Sequence, residues 1–226
     1  MNDLTKLFAN KDFIMKLHRV GKIFPLHVTV CLNNADRSQE LSLSEIRRLG
    51  TTLFGLKCQA VTLMGGDPLQ HLYINEIIKS LNYNTVKIGI VTEGTHLHYL
   101  MDHAKVHWIQ VTGKPDKKYL AEQKHRPICR QWLRPDAPTD DFTAGAKQCW
   151  VSLLKPVVWA DGEIYPCLQI RNVSTFVATP SMGNDLLKIY TKQKPFDGSK
   201  CERCLNSELN KMLDAFVHKP ERMEWV

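Results

Sequence analysis

The sequence predicts an α/β fold of parallel βαβ units with a small cysteine-bearing extension. Three observations predict it. Short β-branched runs alternate with segments of helical period in the first half of the chain. Glycine, proline and aspartate turns separate these runs. Four cysteines stand at metal-ligand spacing in the last third.

The elements follow in order. Pro25 to Cys31 alternates and reads as a strand. Leu43 to Leu53 reads as a helix with Ser42 or Ser44 as its N-cap. Ala60 to Met64 is a short apolar strand broken by Gly65-Gly66-Asp67-Pro68. Ile74 to Leu81 places Ile74, Ile77, Ile78 and Leu81 on one helical face. Val86 to Thr92 is a strand, Thr95 to His103 a helix, and Val106 to Thr112 a strand ended by Gly113-Lys114-Pro115. Arg134 to Thr143, with Pro135 and Pro138, reads as a linker. Leu205 to Val226 reads as a closing helix and a tail. Lys219-Pro220 ends the helical pattern.

The cysteines carry the chemistry. Twelve residues separate Cys149 from Gly162, and four more lead to Cys167. Cys201 and Cys204 form a C-x2-C pair. Thiolates bind zinc or iron–sulfur clusters, and a two-residue gap lets one turn present both sulfurs to one centre. The competing reading is four buried free cysteines packing as small hydrophobes. Trp150 to Trp159, the turn Ala160-Asp161-Gly162 and Glu163 to Tyr165 read as a hairpin between the first two cysteines.

This tail resembles the SPASM/Twitch extension of radical S-adenosylmethionine (SAM) proteins. Asp161-Gly162 through Pro166-Cys167 is similar to its "DG-x-x-x-PC" core, and Gly183-Asn184 to the "GN" that follows. No cysteine follows Cys204, so the shorter one-cluster Twitch form fits. The resemblance implies Cys149, Cys167, Cys201 and Cys204 as ligands of an auxiliary [4Fe–4S] or [2Fe–2S] cluster; Zn2+ suits four thiolates equally. It also implies that the front of the chain is a partial (β/α) barrel of radical SAM type. The expected division is residues 1–133 for the barrel, 134–148 for a linker and 149–226 for the metal-binding extension.

Two further motifs bear on that barrel. Met64-Gly65-Gly66-Asp67-Pro68 is similar to the radical SAM "TGGEP" segment after the second strand. The resemblance sets Gly65, Gly66 and Asp67 along SAM, with the carboxylate toward its ammonium group. Read alone, the segment is an ordinary turn. The first-strand motif C-x3-C-x2-C, which holds the SAM-cleaving cluster in the family, here reads Cys31, Ala35, Ser38. Alanine ligates nothing and a serine hydroxyl is a poor ligand at neutral pH. One thiolate, Cys31, will not hold that cluster.

Composition excludes some classes. Some 226 residues with 43% apolar content suffice for a real core. No long uncharged apolar run suggests a membrane span. Lys6, Lys11 and Asp12 interrupt the N-terminal apolar segment, which reads as an amphipathic helix, not a signal peptide. Seven cysteines without that signal point to a reducing cytoplasm. Cys58 and Cys129 read as buried. His96, His98, His103 and His107 share no ligand geometry and read as unrelated to a metal. The net charge is +7, with a basic run from Lys114 to Arg134 that can grip a phosphate backbone or simply face solvent.

Three functions follow. One is a degenerate radical SAM-like protein, a pseudoenzyme that keeps a cysteine-bound metal. It would act as a binding, regulatory or scaffolding subunit for a protein partner, with SAM as a further ligand. The second is a radical SAM enzyme modifying a peptide, nucleotide or small molecule, with two cluster cysteines replaced by design. The third is a zinc-stapled nucleic-acid-binding protein.

Overall fold

Parallel pairing through the first half of the chain organises the molecule. The computed structural model describes residues 22–82, 86–100, 105–113, 128–131, 145–168, 181–201, 204 and 206–218. The expected N-terminal helix, the basic run from 114 to 127 and 132 to 134, and most of the linker lie outside the described residues.

Strand β1 spans His27–Asn33, helix α1 Leu43–Gly55, β2 Ala60–Gly65, α2 Ile74–Leu81, β3 Lys87–Thr92, β4 Trp108–Val111 and β5 Ile128–Gln131. Each neighbouring pair from β1 to β5 is parallel. The second half adds α3 (Val151–Leu154), β6 (Val157–Val158), β7 (Ile164–Tyr165), α4 (Leu186–Lys192) and α5 (Ser207–His218). Strand β6 pairs parallel with β1, and β7 returns antiparallel, giving the order β5-β4-β3-β2-β1-β6-β7. This is an open, mostly parallel α/β sheet, the arrangement of a partial (β/α) barrel.

Local chemistry explains the elements. The hydroxyl of Ser42 accepts from Glu45 N while the Glu45 carboxylate accepts from Ser42 N, a reciprocal cap at the start of α1. Helix α2 buries Ile74, Ile77, Ile78 and Leu81, the face that its period marks. These side chains join the strand residues Val28, Val30, Val61, Leu63, Ile88 and Ile90 in one core. Trp150, Leu153, Leu154, Ile164, Tyr190 and Leu213 belong to the same core, so the cysteine-bearing half shares its apolar interior with the sheet.

Two expectations are corrected. Trp150 to Trp159 is not one strand of a hairpin. Val151–Leu154 is a helical turn, and only Val157–Val158 pairs with Ile164–Tyr165. Asn210 explains the turn: its Oδ1 accepts from Trp150 N and Val151 N, supplying acceptors for helix-start amides that β-branching alone would have left to a strand. Thr95 to His103 is a short 3-10 turn at Leu97–Tyr99 in its described part, not a helix; residues 101–104 are not described. The run is too short to offset helix nucleation, and Gly94 and His96 form competing local bonds.

Gly65 is required by its neighbours. Its φ is +140°, and a Cβ there would lie 2.2 Å from the Asn33 carbonyl oxygen. Gly65→Ala is expected to destabilise the protein by about 3 kcal/mol, from backbone strain plus overpacking. Equilibrium urea unfolding measures it; an unchanged midpoint would show that β1 and β2 separate freely here.

Candidate metal centre

Backbone pairing brings the outer cysteine segments together. Cys149 N donates to Phe196 O at 2.8 Å, and the two residues form an antiparallel bridge. Gly198 N donates to Ala146 O at 3.1 Å, and Gly145 N to Cys201 O at 2.9 Å. Residues 145–149 therefore run antiparallel to 196–201, with Cys149 and Cys201 at opposite ends of the paired stretch. Two glycines make the approach feasible. A Cβ on Gly145 would lie 2.0 Å from Gly198 O and 2.7 Å from the Cys201 Cβ; one on Gly198 would lie 2.7 Å from Ala146 O and 3.5 Å from the Cys149 Cβ. Asp197 caps the 3-10 turn Gly198–Lys200 that delivers Cys201, its carboxylate accepting from Ser199 N.

Cys167 arrives by the hairpin. Asp161 Oδ1 accepts from Glu163 N and its Oδ2 from the Tyr165 hydroxyl, while Gly162 takes φ +80° in the turn. Met182 N donates to Ile164 O, and Ile164 N to Gly183 O, so the Met182-Gly183 segment lies beside β7. The Asp-Gly turn and the Gly183 segment singled out in the sequence thus brace the strand that leads to Cys167.

The four thiols feel one another. None of them forms a disulfide. Burial pushes the Cys149 thiol up to about 12; Cys167, Cys204 and Cys201 push in the same direction, against a hydrogen bond from Ser152. Burial also raises Cys201, with Cys167, Cys204 and Asp197 adding to it. Burial and neighbouring thiols disfavour the thiolate at Cys149 and Cys201, and a bound cation would reverse that by neutralising the charge. The donor set therefore fits a thiolate-bound metal. Among the described residues, which include all four cysteines, no group of three or more His, Cys, Asp or Glu side chains is arranged so that it could hold a metal ion.

The strand-end residues are committed internally. Cys31 is 0% exposed and packs with Val157 and Tyr165. Ala35 and Ser38 are exposed in the loop that follows, so the three positions of the first motif share no surface. Ser38 Oγ donates to Asp36 Oδ1 at 2.9 Å and accepts from Asn34 Nδ2 at 3.0 Å. Gly66 lies where a Cβ would meet Asn34 O at 2.5 Å. The two glycines thus admit the β1 loop.

Asp67 is buried, and both carboxylate oxygens are engaged. Oδ1 accepts from Thr92 Oγ1 at 2.7 Å and from Leu69 N at 3.2 Å; Oδ2 accepts from His96 Nδ1 at 2.9 Å. Asn33 completes the network, donating to Asp67 O and accepting from Gly66 N. An ammonium ligand would have to displace His96 to reach this carboxylate. The sequence reading missed the Asp67–His96 pair because the partners lie 29 positions apart on different strand-end turns.

No family model matches the chain, and no curated protein matches it significantly. Solved structures give remote likenesses at 12% identity. Streptococcus suis SuiB bound to S-adenosylmethionine aligns with a TM-score of 0.49, covering 92% of this chain and 76% of that one. SuiB bound to its precursor peptide SuiA gives 0.47, covering 93% and 75%. A further SuiB structure gives 0.46, covering 84% and 71%. No residue role is carried over from them.

Proposed function

We propose that this chain is a cysteine-ligated metal protein on a radical SAM-like scaffold that has lost SAM-cleaving chemistry. It serves as a binding or scaffolding subunit for another protein. The observation that carries this reading is the contrast between two cysteine sets. Cys149 and Cys201 sit on paired segments, and Cys167 and Cys204 lie close enough to push both thiols up. Cys31 is sealed in the core with Ala35 and Ser38 as its only motif mates.

Cys149, Cys167, Cys201 and Cys204 would hold the metal, an iron–sulfur cluster or Zn2+. At this centre the metal supplies charge neutralisation and a cross-link between distant segments. The buried Asp67 network supports a structural role at the strand ends, where it ties β1, β2 and β3 together. Among the described residues no helix is long and apolar enough to cross a membrane.

The test has two arms. Protein purified without oxygen should carry about one cluster or one zinc ion per chain; brown colour with matching iron and sulfide identifies the cluster, and a colourless zinc protein the ion. With SAM and a strong reductant it should form no 5′-deoxyadenosine above the buffer control. Multiple-turnover cleavage would overturn the loss of that chemistry.

A further inference from the structure

We infer that Asn210 on α5 is a positioning residue for the four-cysteine centre, so that metal loading and the docking of α5 form one coupled equilibrium. The inference rests on the metal reading above and extends it to a helix that bears no ligand.

Asn210 is 4% exposed. Its Nδ2 donates to Gln148 O at 2.8 Å, and its Oδ1 accepts from Trp150 N at 2.6 Å and Val151 N at 3.4 Å. These bonds grip the main chain on both sides of Cys149. One buried amide thereby fixes where the chain passes from its bridge at Cys149 into α3. Asp214, one turn further along α5, accepts from the Trp150 indole at 2.7 Å, and His218 lies edge-on to that indole at 5.8 Å. Leu209 and Leu213 pack α5 into the core.

The connection closes on itself. Helix α5 begins three residues after Cys204, and Cys201 is already paired to the segment that leads into Cys149. A metal bridging Cys149 to Cys201 and Cys204 would tie both ends of this loop to one point. Releasing α5 frees Gln148, Trp150 and Val151 together and lets Cys149 drift. Releasing the metal leaves α5 held by its apolar face and these polar bonds alone. Partners that orient a ligand in this way typically change metal affinity 10- to 100-fold when removed.

The experiment compares hydrogen exchange and metal retention in the full chain, using Zn2+ as the probe on protein reconstituted from the stripped form. Stripping wild-type protein with a chelator should accelerate exchange in 207–218 about tenfold or more, while 43–55 and 74–81 keep their protection. Asn210→Ala should release Zn2+ to a chromophoric chelator about 10- to 100-fold faster than wild type. Lys211→Ala, on the exposed face of the same helix, should release it at the wild-type rate. Equal exchange of 207–218 with and without Zn2+, or wild-type retention by Asn210→Ala, overturns the coupling and leaves the metal reading standing. A wild-type chain that takes up no metal under any condition, iron and sulfide included, overturns both.

Discussion

Replacing Cys149 and Cys201 together by serine should abolish metal retention and reduce the protein to the stability of its metal-stripped form. The reason is geometric and electrostatic. These two cysteines end the paired segments 145–149 and 196–201, and removing them leaves Cys167 and Cys204, too few thiolates for a four-coordinate site. A ligand that binds only the folded state adds about 4 kcal/mol at a free concentration a thousandfold above its Kd. That increment should disappear in the double variant, while the apolar core shared by β1 to β4 and α2 keeps the chain folded. Metal analysis and urea unfolding with and without chelator measure both effects. The affinity should also fall with falling pH. The Cys149 thiol is held up to about 12, so metal binding must displace its proton, and acid favours the protonated, metal-free form. A double variant with wild-type metal content would remove these cysteines from the ligand set.

The second large effect falls on Asp67. Asp67→Ala should destabilise the protein by about 3 kcal/mol, because it orphans a buried carboxylate's partners. The Thr92 hydroxyl, Leu69 N and His96 Nδ1 lose their acceptor at once. Asp67→Asn keeps an oxygen for Thr92 and Leu69 and should cost about 1 kcal/mol. Urea midpoints at constant slope separate the two variants. An Asp67→Ala protein as stable as wild type would mean that water or another group takes over these bonds, and that the turn is free to receive a ligand.

How much was legible in the sequence depends on the range of the forces involved. Helix α2 and strands β2 and β3 were readable because apolar period and turn residues act locally. Ile74 to Leu81 matches its expected bounds, and Ala60 and Thr92 begin and end their strands as expected. Helix α3 was not readable, because Asn210, some 60 positions later, supplies the acceptor for its first amides. The candidate site divides the same way. The spacing of Cys149, Cys167, Cys201 and Cys204 marked them as a set. The glycines that let the segments meet, Gly145 and Gly198, carried no local signal, since each acts only through the backbone opposite. The Gly65-Gly66-Asp67 turn was visible as a turn. Its internal occupants, Asn33 at the end of β1 and Thr92 and His96 at the end of β3, come from two different strand ends and could be seen only in the fold.

The most direct test of a four-thiolate centre is X-ray absorption at the metal edge of protein loaded without oxygen. Four sulfur neighbours at about 2.3 Å, losing sulfur when Cys149 or Cys201 is replaced, are the expected result. A first shell of nitrogen and oxygen, or a four-sulfur shell unchanged by both replacements, would contradict it.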